Sequence, residues 1–403
     1  MSVLSGRCVV LGVTGSIAAY KAVEVCNRLV DSGAHVIPVL TKSATRMIGL
    51  ATFSALASEP AKTSLWHDLR TPIPHIVVCR KADLILVCPA TARLISDLRT
   101  GRSADLLTAT ISASQAPLLV VPAMHAEMWE QPAVQDNMSV LVERGASVVW
   151  PVEGRLAGGD VGLGRMADPS VVLAAVEKEL SPRDFQERRV LVTAGGTSEP
   201  IDAVRFIGNR SSGRQGCAIA AAAHARGAVV ELVVTRNAQA HIPSGVKVTT
   251  VETASEMLAA VKAKAPAADV VVMAAAVADF RPRASYTGKI SKNTGIPKLE
   301  LEATEDILIV LGSQRKPSQI LVGFAAETED IEVKARRKLE DKQLQVIVAN
   351  DVSKDQVGFD YETNEVLIIT STGDRLHVPL TSKSEIARSM LDVVAGMMSK
   401  AGM

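Results

Sequence analysis

Aromatic residues are scarce in this chain of 403 residues: 3 Trp, 3 Tyr and 6 Phe amount to 3% of it, against 47% hydrophobic residues overall. Its apolar content is therefore Val, Ile, Leu and Ala, which fill parallel strands covered on both faces. An excess of one charge is missing too. The 44 basic and 43 acidic side chains leave a formal net charge of +1, which removes the electrostatic case for a nucleic acid or an anionic membrane as partner. No apolar run reaches about 18 residues and the N-terminus lacks a basic-then-apolar leader, so the expectation is a soluble, cytoplasmic chain. Cys8, Cys26, Cys79, Cys88 and Cys217 form no CxxC pair, and the 7 histidines form no cluster of metal-ligand spacing. That argues against a disulfide framework and against a structural zinc site.

What the chain does have is one plan used twice. Residues 7–41 and 188–235 each read as an apolar strand, a glycine turn, an Ala-rich helix, a small turn and a second strand. A turn of this kind leaves backbone N–H groups free at a helix N-terminus, where they and the helix dipole favour a phosphate. Length gives the same count, because a domain prior of roughly 100 to 200 residues favours two. The expected class is α/β: two doubly wound domains, a flavoprotein-like parallel sheet over 1–180 and a Rossmann-like nucleotide-binding sheet over 188–403. Residues 181–187, with Pro182 and mixed charge, read as the linker.

Strands are expected at 8–13, 36–41, 84–88, 118–121 and 148–150 in the first half. In the second they fall at 190–193, 229–235, 246–251, 270–275, 320–324 and 346–348, followed by a hairpin at 365–370 and 376–379 and a helix over 384–398. Helices are expected at 17–30, 134–144 and 169–180. Ligands of such sheets gather at the carboxyl ends of strands. The glycine-rich stretch 153–168 reads as a mobile flap, and 279–301, basic and without a clear period, as a loop over a ligand.

Gly12 to Ser16 lacks the full dinucleotide GxGxxG pattern; it suits a mononucleotide, or is an ordinary tight turn. His75 is a candidate acid/base residue, although a lone histidine is usually structural. Thr193 to Thr197 followed by Asn209 to Arg214 is more specific. Two glycine turns, hydroxyls and basic groups precede one helix, which suits a triphosphate and a second anionic substrate. Lys289 and Lys292 are placed to stabilise developing charge, or are surface lysines. Asp279 follows an apolar strand, where it could meet a metal or a ribose. Ala274 to Ala276 are small enough for a base or phosphate to approach, or they simply pack tightly.

Together these motifs resemble the bifunctional phosphopantothenoylcysteine decarboxylase and phosphopantothenate–cysteine ligase family of coenzyme A biosynthesis. The resemblance spans nearly the whole chain in both halves: Gly12 to Lys21, His75-Ile76, Pro89 to Ala92, Asp105 to Thr108 and Pro122 to Met124, then Thr193 to Asp202, Val204 to Ile207, Asn209 to Gly213, Ala274 to Asp279, Lys289, Val322 to Thr328 and Val348 to Asp351. It implies CTP-dependent, Mg²⁺-assisted joining of 4′-phosphopantothenate to cysteine through an acyl-cytidylate, then FMN-dependent decarboxylation to 4′-phosphopantetheine. It also implies that Asn209, Arg205, Ser211 and Ser212 serve the phosphopantothenate and acyl-cytidylate site and that Lys289 supports the charged intermediate. Gly195, Gly196, Ala275, Ala276, Asp279, Phe324, Lys338 and Lys342 would meet CTP, with Asp279 at the metal. Gly15, Ser16, Thr41, Pro89, Ala90 and Thr91 would hold FMN, and His75 would be the acid/base residue there. A homo-oligomer built from flavin-domain trimers and ligase-domain dimers follows from the same resemblance.

The chain departs from the family in its first half. His125 stands where an asparagine that binds the substrate carboxylate is usual, and Gly158 where the flap usually carries a proton-donating cysteine. Arg93-Leu94 replaces the usual Asn-Thr. Histidine could still bind a carboxylate, but glycine has no proton to give. Three readings are open at this point: another proton donor such as His125, an impaired reductive half, or a ligase whose flavin domain is vestigial.

Overall fold

The structure is a computed structural model that describes residues 3–66, 72–290, 299–353, 358 and 361–400. Lys292 lies outside the described residues. The chain divides into two compact units, Met1–Ser181 and Pro182–Met403.

The first unit is built on β1 (Cys8–Val13), β2 (His35–Leu40), β3 (Leu84–Ala90), β4 (Leu118–Pro122) and β5 (Ser147–Val148). They form a parallel sheet in the order β2-β1-β3-β4-β5. Val10 lies opposite Ile37 on one side and Ile85 on the other. Every residue of β1 and β3 is buried, because helices cover both faces and leave no solvent side for a polar alternation. One face packs Val9, Leu11 and Val13 against Ala22, Val25 and Leu29 of the helix Ala19–Asp31. The other packs Val10, Ile37 and Ile85 against Leu94, Ile95 and Leu107. The first helix starts at Ala19 rather than at residue 17, because the Ser16 hydroxyl takes the Ala18 N–H and holds a turn there. The glycine-rich flap has regular secondary structure. It is a hairpin of β6 (Val152–Arg155) and β7 (Val161–Arg165), tied to the sheet by the Met124 N–H donating to the Gly164 carbonyl at 3.0 Å.

The second unit carries an eight-stranded sheet of β8 (Arg189–Ala194), β11 (Val229–Thr235), β12 (Lys247–Val251), β13 (Val270–Met273), β16 (Ile320–Glu327), β17 (Val346–Asp351), β18 (Thr363–Thr370) and β19 (Arg375–Ser382). Its order is β12-β11-β8-β13-β16-β17-β18-β19, parallel except for the last two strands. Two small pairs lie outside it: β9 (Ser198–Pro200) with β10 (Phe206–Gly208), and β14 (Phe280–Pro282) with β15 (Leu301–Ala303). The last pair corrects the expectation of an irregular loop over 279–301, since its two ends close into a ribbon. Val190 and Val192 pack on Ile219 and Ala223 of the helix Arg214–Ala225 and on Met390 of the helix Lys383–Lys400. Leu191 and Val271 face Met257, Val261 and Leu339 on the opposite side. Among the described residues no helix is long and apolar enough to cross a membrane.

Residues 182–187 do more than connect. Phe185 is fully buried, and the buried Arg226 guanidinium stacks over its ring at 5.0 Å. Arg226 also makes a two-pronged bond to Asp184 and a 2.7 Å contact to Asp392 on the last helix. One cation thus joins the start of the second unit to its end. Arg226→Met should lower the unfolding free energy by about 2–3 kcal/mol, because two carboxylates lose their only strong partner but sit close enough to solvent to rehydrate. Arg226→Lys should recover less than half of that for want of a planar fork. Urea denaturation checks both.

Candidate active sites

In each sheet the strand order reverses next to the first strand, between β1 and β3 and between β8 and β13. Crossovers leave to opposite sides there and open a crevice at the carboxyl ends. In the second unit the crevice is floored by two loops bonded to each other. The Ala276 N–H donates to the Gly195 carbonyl at 2.8 Å and the Thr197 N–H to the Ala276 carbonyl at 3.2 Å. Gly195 has φ +94°, and a Cβ there would lie 1.8 Å from the Thr235 hydroxyl, so no other residue fits the turn.

A cavity of about 300 Å³ opens over this floor. It gathers Asn209, Ser211, Ser212, Ala275, Ala276, Asp279, Phe324, Lys338 and Lys342 from four separate stretches of sequence. The Asn209 amide donates to the Val277 carbonyl at 2.9 Å, which fixes its direction. Both lysines are already engaged: Lys338 with Glu327 at 2.5 Å and Lys342 with Asp306 at 2.7 Å. They stand at the C-terminal end of the helix Ile331–Asp341, where the dipole repels an anion, so any phosphate there depends on their charge. Among the described residues no three His, Cys, Asp or Glu side chains form a metal-holding group, so Asp279 belongs to no such cluster.

Arg205 and Lys289 do not line this cavity. Arg205 forms a two-pronged pair with Asp202, whose side chain is fully buried, and donates to the Ile290 carbonyl at 3.0 Å. Asp202 in turn accepts from the Ile290 N–H at 3.1 Å. The loop that carries Lys289 is thus clamped beside Arg205. The Arg205 guanidinium, then the N–H donors of Val204, Ile290 and Arg205, hold the Asp202 carboxyl far below the usual carboxylate range.

Two cavities among the described residues of the first unit bear on the predicted flavin site. One, of about 330 Å³, takes Thr41 and Thr91 together with Thr14, Ser43, Arg93 and Asp97. Thr14 binds the Pro89 carbonyl at 2.7 Å and receives the Thr91 N–H at 3.1 Å, which joins the ends of β1 and β3. A Cβ on Gly15 would lie 2.5 Å from Ser43, so the turn depends on a glycine. The other cavity, of about 570 Å³, lies under the flap and is lined by Ser16, Tyr20, Lys21, His125, Arg155 and Arg165, among others. Gly15, Pro89 and Ala90 line neither cavity. His75, near the start of the helix Pro74–Lys81, lines neither, and its Nδ1 is buried without a hydrogen-bond partner among the described residues.

Two family models match the chain end to end: a flavoprotein model over residues 2–181 and the C-terminal domain of DNA/pantothenate metabolism flavoproteins over 185–398. The coenzyme A biosynthesis bifunctional protein CoaBC of Mycobacterium tuberculosis is 42% identical over 401 residues, 96% of each chain. That of Bacillus subtilis is 40% identical over 404 residues, 99% of each. The crystal structure of the C-terminal domain of a CoaBC protein is 38% identical and superposes with a TM-score of 0.47, covering 54% of this chain and 99% of that one. This chain belongs to the CoaBC family. It is a bifunctional enzyme of coenzyme A biosynthesis, with a flavoprotein decarboxylase domain and a ligase domain, and the reading as a ligase alone is not favoured.

Several lining residues of this CoaBC chain escaped the sequence reading. Asn350 falls in the run Val348 to Asp351 at the end of β17, but Thr304, Asp306 and Lys383 carry no local signal and reach the ligase cavity only through the fold. Arg155, opposite Val161, and Arg165, opposite Val152, reach the flap cavity from the two strands of the hairpin, which a glycine-rich stretch does not advertise. Asp202→Asn should release the loop at Ile290. Amide exchange at Ile290 should quicken at least tenfold and kcat/KM for ligation should fall. Because the folded Asp202 pKa is depressed, its stabilisation is full above the ordinary value of 3.8 and is lost only as pH falls below it. Protection in the unsubstituted chain should therefore be flat from neutral pH to about pH 5.

Proposed function

We propose that the C-terminal unit activates 4′-phosphopantothenate with CTP and joins it to cysteine, and that the N-terminal unit uses FMN to decarboxylate the product to 4′-phosphopantetheine. The observation that carries the first half is the cavity at the β8/β13 reversal, where amide, hydroxyl and ammonium groups converge. A carboxylate is a poor acyl donor. Its oxygen attacks the α-phosphorus of CTP and pyrophosphate leaves; the cysteine amine then attacks the acyl carbon, and CMP leaves with the bonding pair. Asn209 and Arg205 orient the acyl group, and Lys289, held by the Asp202 clamp, meets charge that develops in transfer. Gly195, Gly196, Ser211 and Ser212 offer N–H and hydroxyl groups to phosphate at the start of the helix Arg214–Ala225. Ala275, Ala276 and Phe324 leave room for the base. Lys338 and Lys342 exchange Glu327 and Asp306 for nucleotide phosphates. Magnesium would accompany the triphosphate and screen its charge, and Asp279 is the carboxylate that would meet it.

The N-terminal turns fit a flavin mononucleotide. Gly15 admits no side chain; Ser16 lines the flap cavity and Thr41 and Thr91 the other, and in this reading their hydroxyls, with the backbone of Pro89 and Ala90, would hold the flavin between them. When bound, FMN supplies a reversible electron sink for the thiol-bearing carbon, which lets carbon dioxide leave. Lys21, His125, Arg155 and Arg165 give the flap cavity a cationic lining for an anionic substrate. His75 lines neither cavity of its own unit. In this reading it serves the flavin of a neighbouring copy, in a flavin-domain trimer, while ligase domains pair as dimers. The exposed Ile17, Tyr20, Met47, Ile73 and Met128 are available for that contact. The enzyme works in the cytoplasm.

Product mass spectrometry with 4′-phosphopantothenate, cysteine, CTP and Mg²⁺ tests this. The expected product is 4′-phosphopantetheine, formed only by a yellow, flavin-loaded protein. Accumulated 4′-phosphopantothenoylcysteine would remove the decarboxylase half, and no coupled product would remove both. Lys289→Gln should slow ligation on the order of a hundredfold while decarboxylation of added 4′-phosphopantothenoylcysteine continues.

A further inference from the structure

His125 follows β4 and caps the helix Ala126–Trp129, with its ring facing the flap cavity. Its side chain is 35% exposed, enough for exchange with solvent. Nδ1 is bonded to Glu127, and Nε2 lies 3.4 Å from the Asp160 carboxylate on the flap. The ring reaches that place because Gly158 has no side chain. A Cβ there would lie 2.9 Å from Nε2 and 3.2 Å from Asp160 Oδ2.

Loss of carbon dioxide leaves an electron pair on carbon, which has to take up a proton. The polar side chains lining the flap cavity are Ser16, Tyr20, Lys21, His125, Arg155 and Arg165. A hydroxyl and a phenol are weak acids, and a guanidinium does not release its proton. The Lys21 ammonium is buried and bonded to the Met166 carbonyl at 3.0 Å. The one thiol near this cavity, Cys88, contacts Met166 from beneath, and complete burial pushes its pKa up. Burial lowers the Lys21 pKa, but from the lysine range, and among the described lining side chains His125 is the one whose ordinary titration range lies nearest neutral pH.

We infer that His125 is the proton donor of the decarboxylation, giving its Nε2 proton to the carbon that loses carbon dioxide. The bond from that carbon to the carboxylate breaks, a C–H bond replaces it, and carbon dioxide leaves. The neutral imidazole then takes a proton from water, so the sum consumes one proton and involves no net oxidation. Glu127 first, with Asp160 added, raises the pKa of His125 above the ordinary histidine value. The cations facing the same cavity, Lys21, Arg155 and Arg165, oppose the imidazolium, so the two carboxylates are needed to keep it loaded. A raised folded pKa means that the donor is fully loaded at low pH and is lost as pH rises through that value.

The inference rests on the decarboxylase reading, and the full flavin-loaded chain supplied with 4′-phosphopantothenoylcysteine tests the two separately. His125→Asn and His125→Gln should bind FMN as tightly as the unsubstituted chain, by fluorescence quenching, yet form 4′-phosphopantetheine on the order of a hundredfold more slowly. In the flavin-free chain, NMR should place the His125 titration above the ordinary value. Glu127→Gln should lower that titration and the falling limb of the pH–rate profile together. Variants that react at the unsubstituted rate, variants that lose FMN, or a titration that moves without the rate profile would overturn the assignment. An unsubstituted chain that binds FMN and releases no carbon dioxide would instead overturn the decarboxylase reading, and the inference with it.

Discussion

Both units depend on the same backbone constraint, the reversal of strand order beside the first strand. A parallel sheet whose crossovers leave in opposite directions must part its loops at that point. Because every inward position of β1, β3, β8 and β13 is committed to packing, chemistry is confined to the few residues beyond their carboxyl ends. The Gly195 carbonyl held by the Ala276 N–H, and Thr14 held between Pro89 and Thr91, are two solutions to one problem. Each stitches adjacent strand ends together without filling the crevice.

Several cations of the two sites are paired before any substrate arrives. Lys338 rests on Glu327, Lys342 on Asp306, Arg205 on Asp202, and His125 on Glu127 and Asp160. The depth of the carboxylate separates two uses of this arrangement. Asp202 is fully buried and bonded to backbone on two sides, so it acts as a fixed anchor. Glu127 and Asp160 are mostly exposed, so they hold a proton on their neighbour and leave it free to move.

The sheets were legible because their strands are near-continuous Val, Ile and Leu runs closed by glycine turns, and so were the turns that carry Gly15, Gly195 and Asn209. The flap was not. Glycines hid the pairing of Val152–Arg155 with Val161–Arg165, since pairing across a hairpin is set by backbone register and not by side-chain period. The stretch 182–187 reads as a tether from its proline and charges, yet Phe185 and Asp184 are held by an arginine that follows a helix far along the chain. Lys338 and Lys342 were identifiable as a pair on one helix face, whereas their carboxylate partners belong to other elements.

The sequence by itself determined the class of fold, the two-domain plan and the family, because apolar periodicity and turn chemistry are local and accumulate along the chain. It also showed each departure separately, a histidine at 125 and a glycine at 158. That these two meet, with the imidazole in the space a side chain at 158 would need, was decided only by the tertiary structure. Contact between a loop after one strand and the tip of a hairpin depends on how both sit over the same sheet, and no local preference of either segment encodes it.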